Sequence, residues 1–151
     1  MVCLDNWTGD LFLNELTETV YGDEVGLKIL VERGKVLDEI VPAIQIEEQV
    51  IEASPIVIDE NLPIIQIEFE SYVAYAVMNE TYFPGDDYEI YDTRRIVSVL
   101  TQSRYLDFVN QTTFVEHMHP GEHYIRYRIP CLDHVIEVVS YDLPKISEIA
   151  R

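Results

Sequence analysis

The sequence predicts an α+β fold, a single domain spanning 1–151 and built mainly on antiparallel sheet. Segments with strand-like apolar alternation or β-branched content recur near 64–78, 95–100, 124–129 and 134–140. The last two follow each other too closely for a crossover helix, which favours antiparallel pairing. One capped amphipathic stretch, 103–112, separates the second strand from the third.

Taken in chain order, the first 60 residues fit more than one reading. Phe12, Leu13, Leu16 and Val20 share a helical face over 11–21, with Asp10 as cap and Gly22 as stop, although the threonines weaken a helix there. Residues 26–31 and 44–58 have strand composition, and Pro55 limits the latter to an edge or bulge. Over 64–78, Ile65, Ile67, Phe69, Val73, Tyr75 and Val77 line one face. The opposite face changes from Gln66, Glu68 and Glu70 to Tyr72, Ala74, Ala76 and Met78. A strand of that length is expected to bend, or to change partners between its ends. At 103–112 Ser103 is the natural N-cap, and Tyr105, Leu106, Phe108 and Val109 form the apolar stripe.

Composition bounds the function. The 151 residues (17.5 kDa) hold 28 acidic and 10 basic side chains, a formal charge of −18, with 48% apolar residues. That apolar share is enough for one packed domain. The acidity argues against nucleic acid and anionic membranes as partners, since both attract basic surfaces. The opening MVCLDNWTGD has no basic residue, unlike a secretory signal, and no apolar run approaches the ~20 residues that span a bilayer. Cys3 and Cys131 form no disulfide framework, so a cytoplasmic protein with free thiols is expected.

The charge is unevenly distributed. Residues 1–75 carry 16 acids and 3 bases, a balance of −13, against 12 and 7, or −5, in 76–151. No base occurs between Lys35 and Arg94, whereas 14 acids lie between Asp38 and Asp92. Tyr72, Tyr75, Tyr82, Tyr88 and Tyr91 fall near or within that stretch. Amphipathic tyrosine rings suit interfaces, so Tyr72, Tyr82, Tyr88, Tyr91, Asp86 and Asp87 are the candidate partner-binding face.

A second cluster, 116–123, holds His117, His119, Glu122 and His123. On a strand His117 and His119 would share a face, and a tight hairpin at Pro120-Gly121 would set Glu122 opposite His119. That would give the two imidazoles and one carboxylate of many divalent transition-metal sites. Pro-Gly, however, prefers a type II turn, which suits hairpins poorly. The HxH spacing is similar to the first motif of cupin barrels, but Gln111 stands where that motif has glycine.

Other constellations are thin. Asp23/Glu24, Glu47/Glu48, Asp59/Glu60 and Asp86/Asp87 follow from composition alone. Cys131 and His134 take opposite faces of a strand, so they build no thiolate–imidazole dyad. Arg126 and Arg128 share a strand face, with Arg94, Arg95 and Arg104 near in sequence. They would either grip an external acid or neutralise local carboxylates. The expectation is therefore a non-enzymatic protein-interaction module, immunity- or inhibitor-like, with no cofactor, a basic protein as partner and homodimerisation at an open strand edge. The alternative is a small metal-binding protein or metal-dependent enzyme using His117, His119 and Glu122.

Overall fold

The computed structural model describes residues 9–84, 87–91 and 96–151, without the side chains of Ile90 and Tyr91. Of the described residues 54% are strand and 12% helix, mostly antiparallel sheet with little helix. The N-terminal element is a long hairpin of β1 (Leu11–Tyr21) and β2 (Glu24–Val36). It turns at Gly22, whose φ of +63° is a conformation that glycine adopts without a Cβ penalty. Next come β3 (Val41–Ile46), β4 (Gln49–Ala53), β5 (Ile56–Ile58), β6 (Ile64–Phe69) and β7 (Ala74–Asn79). A short 3₁₀ turn at Glu80–Tyr82 leads to β8 (Ile90–Tyr91) and β9 (Ser98–Gln102). Helices α1 (Arg104–Thr112) and α2 (Val115–Met118) precede β10 (Ile125–Pro130), β11 (His134–Ser140) and β12 (Lys145–Ile149).

Two sheets form. One has the order β1-β2-β6-β12, with β5 attached to the end of β2, and the other runs β7-β11-β10-β9-β8. One apolar cluster joins them: Leu27, Ile29 and Val31 of β2 and Ile65, Ile67 and Phe69 of β6 meet Tyr127, Ile129, Ile136 and Val138 of the second sheet. The Phe69 and Tyr127 rings touch with centroids 5.2 Å apart. Each such fully buried side chain contributes about 1.5–3 kcal/mol. The second sheet is covered on its other face as well. There Leu100, Val135 and Val139 are buried outside that cluster, as are Val109 of α1 and Val115 of α2.

Three expectations require correction. Residues 11–21 form a strand and not a helix, because a bulge between Leu13 and Glu15 shifts the alternation. Leu13 pairs with Val31 and Leu16 with Ile29, so two leucines three apart reach the same core face and imitate helical spacing. The segment 64–78 is two strands in different sheets, so the expected change of partners occurs but through a break rather than along one continuous strand. β6 pairs with β2 and β12, the chain bends through 70–73, and β7 pairs with β11. Ser71 holds that bend: its hydroxyl donates to Asp142 at 2.6 Å, and its carbonyl accepts from Ser140 at 2.8 Å. The segment 44–58 divides into parts of β3, β4 and β5. The helix near 103–112 forms with Ser103 as its cap, accepting from the Leu106 amide at 3.0 Å. The strands at 124–129 and 134–140 form within a residue of the expected bounds, and the strand near 95–100 begins later, at Ser98. No helix among the described residues is long and apolar enough to cross a membrane.

Candidate functional site

Arg126 and Arg128 sit beside Glu137 of the adjacent strand in the β10–β11 register. Both arginines point to the face that α1 covers. Arg126 donates to Ser103, the α1 cap, to Glu137, and to Glu89 at 2.7 Å. Arg128 donates to Glu137 from Nε at 3.1 Å and from Nη2 at 2.8 Å, and also to Glu89. The Arg128 guanidinium lies 4.5 Å from the Phe83 ring centroid, and that of Arg126 lies 5.6 Å from Tyr105. Arg126 and Glu137 are each 1% exposed. Of the two outcomes open to these arginines, neutralisation of local carboxylates is the one formed. Arg94 and Arg95 lie outside the described residues.

The histidine segment is not a hairpin. His117 lies in α2, where its ring meets Phe114 edge-on at 6.3 Å. His119 follows the helix, and the Glu122 amide donates to its carbonyl at 3.2 Å across Pro120-Gly121. Gly121 has φ of +85°, which is the type II turn that Pro-Gly favours. His119 Nδ1 and Glu122 Oε2 are 3.8 Å apart, so this pair does come together, by a turn rather than across strands. His117 does not join them in the cleft they line, and no group of three or more His, Cys, Asp or Glu converges among the described residues.

His119 and Glu122 line an open cleft of about 570 Å³, together with Glu24, Tyr72, Tyr141 and Asp142. The His119 ring packs on Tyr141 at 4.8 Å, and Tyr124 meets Tyr141 edge-on at 5.7 Å. Burial, then the charge of Glu122, raises the Tyr141 hydroxyl pKa. Tyr72 donates to Glu18 at 2.6 Å, which with burial pushes its pKa up to about 12. The cleft is thus a set of rings and carboxylates, an environment for cations.

The remaining candidate partner-binding residues are dispersed. Tyr72 precedes β7 and Tyr82 follows it, so roughly 20 Å of strand separates them at ~3.3 Å per residue. Tyr82 is 84% exposed. Tyr88 donates to Asp107 of α1 at 2.7 Å, and its ring packs under Arg104. Asp87 is exposed, while Asp86 and the Tyr91 side chain lie outside the described residues. Cys131 is buried, and burial followed by the charge of Asp133 pushes its thiol up to about 12, which keeps it protonated and unreactive. His134 Nδ1 lies 3.1 Å from Asp133 without a hydrogen bond.

Most of the segment expected as strand over 44–58 forms an element of its own. β3 and β4 pair with each other and with no third strand among the described residues. Ile44 and Ile46 on this ribbon are 57% and 56% exposed.

The chain matches no known protein family, no curated protein and no solved structure.

Charge pairing therefore has to carry the functional reading. Of the eight bases among the described residues, seven hold a partner within the chain. Arg33 pairs with Glu148 at 2.9 Å, Lys35 with Asp59 at 3.4 Å, Lys145 with Glu70, and Arg151 with Glu32 at 2.5 Å. Arg126 and Arg128 share Glu89 and Glu137, and Arg104 lies over Tyr88. The five carboxylates of 38–52 (Asp38, Glu39, Glu47, Glu48 and Glu52) meet no described base. The sequence signal for this region was the absence of bases from 36 to 93; its missing half was the ribbon geometry.

Proposed function

We propose that this protein is a non-enzymatic interaction module whose acidic surface docks a basic protein, in the manner of immunity proteins and nuclease inhibitors. The observation that carries the reading is the internal engagement of the bases. With seven of the eight described arginines and lysines already held by carboxylates or rings, the surplus of −18 finds no counterpart within the chain. A partner bearing Lys and Arg supplies it, and long-range attraction accelerates the encounter. Tyr82 and Asp87 are exposed and available to such a partner, and Tyr72 adds a ring beside the acidic cleft.

The test is a titration of basic proteins recovered from the source organism at low salt, each repeated with the purified protein. Binding is expected to weaken steeply between about 0.1 and 1 M salt, as the screening length falls from about 10 to 3 Å. Salt-insensitive binding, or recovery of no basic protein, contradicts the reading. The metal alternative rests on the His119–Glu122 pair alone. It requires a rise in melting temperature with Zn²⁺, Mn²⁺ or Fe²⁺ that His119→Ala removes.

A further inference from the structure

The two-stranded ribbon of β3 and β4 combines features that seldom coexist in a free monomer. Its register sets Ile44 opposite Ile51, Ile46 opposite Gln49 and Val41 opposite Ala53. A bulge between Pro42 and Ile44 places Val41 on the side of Ile44 although the two are three residues apart. Val41, Ile44, Ile46, Ile51 and Ala53 therefore share one face with Gln49, while Pro42, Gln45, Val50 and Glu52 share the other. Ile44, Ile46 and Ile51 on that face are 57%, 56% and 48% exposed. An isolated hairpin is marginal in water, and a contiguous exposed apolar face marks an interaction site.

Charge decides what covers it. Asp38 and Glu39 stand at the base of the ribbon, Glu47 and Glu48 form its tip, and Glu52 lies on its back. A second copy would bring the same five carboxylates against one another, and seven of the eight described bases are already engaged within each chain. Anionic lipid is repelled for the same reason. An apolar groove rimmed with Lys and Arg answers both the isoleucines and the carboxylates.

We propose that the β3–β4 ribbon is a docking arm. Its Ile44, Ile46 and Ile51 face seats in an apolar groove of a partner protein, and the carboxylates of 38–52 meet basic residues on the groove's rim. This rests on the acidic interaction module proposed above and names the element that performs the docking.

The test uses the full chain and two fluorescent peptides of equal length and positive charge, one alternating Leu and Lys, the other alternating Ser and Lys. Anisotropy is expected to show the Leu–Lys peptide binding at least about tenfold more tightly, the effect of burying a few apolar groups. The triple variant Ile44→Ser, Ile46→Ser, Ile51→Ser should reduce Leu–Lys binding to the Ser–Lys level and leave Ser–Lys binding unchanged. Because that variant can also loosen strand pairing, a second variant keeps the isoleucines. Glu47→Lys, Glu48→Lys, Glu52→Lys should weaken both peptides severalfold.

If both peptides bind equally, or the Leu–Lys preference survives the triple variant, the docking arm is overturned while the acidic module stands. If neither peptide binds, both fall. A dimer by light scattering that the triple variant converts to monomer would show that a second copy covers the face, and that too overturns the proposal.

Discussion

In the second sheet, Arg126 and Glu137 are each 1% exposed and share hydrogen bonds with Arg128, Glu89 and Ser103. In the β3–β4 ribbon, Ile44 and Ile46 are more than half exposed and the neighbouring carboxylates meet no described base. Both regions are antiparallel strands with two chemically distinct faces, yet the polar face is buried in one and the apolar face is exposed in the other. What differs is the cover. Arg126 and Arg128 lie beneath α1 and the Phe83 ring, whereas among the described residues the ribbon pairs only with itself. Alternation along a strand reveals that two faces exist; neighbouring elements decide which of them is wet.

The contrast can be broken most severely at the buried network. Glu137→Ala leaves two buried guanidinium groups short of their shared acceptor, and a loss of about 3–5 kcal/mol is expected in urea unfolding. A loss below about 1 kcal/mol would mean that the network is solvated and resembles the ribbon. Next in size is a matched pair of truncations. Ile67→Ala, in the fully buried core, should cost about 2–5 kcal/mol. Ile44→Ala on the ribbon should stay within about 0.5 kcal/mol. Comparable losses at the two positions would show that the ribbon is packed in solution.

A further comparison concerns pH. Tyr127 is pushed up to about 12 by burial and then by the charge of Asp142, and Tyr21 to about 12 by burial and its bond to Glu68. These hydroxyls hold their protons more tightly when folded than when unfolded. Their contribution is intact below pH 10 and is lost as pH rises towards 12. Urea midpoints should fall over that window, with the buried tyrosines' share of the tyrosinate absorbance appearing late. Tyrosinate absorbance complete by pH 10.5 would contradict the burial. The ribbon contains no tyrosine, so this titration does not report on it.

Parts of this architecture were legible in the sequence because their signals are local. Ser103 caps a helix by its own hydroxyl, and the closeness of 124–129 to 134–140 leaves room only for a hairpin. Other parts were hidden for identifiable reasons. The bulge after Leu13 gave β1 the apolar spacing of a helix. The ribbon turns at Glu47-Glu48, with Glu47 at φ +53°, and neither residue carries the glycine or asparagine signal of a tight hairpin. The arginines were visible as a shared strand face, but Glu89 lies 37 residues before Arg126, a distance only the fold closes. For the histidine cluster the Pro120-Gly121 turn was readable and the helix around His117 was not.

The central claim is that residues 38–53 are an uncovered arm awaiting a basic partner, and amide hydrogen exchange tests it most directly. In the free protein the β3–β4 amides should exchange orders of magnitude faster than those of β10 and β11, since local opening is easiest where packing is least. On adding the Leu–Lys peptide, protection should rise across 41–53 and stay unchanged in β10 and β11. Strong protection of 41–53 in the free monomer, or protection that appears elsewhere while 41–53 is unaffected, would contradict the account.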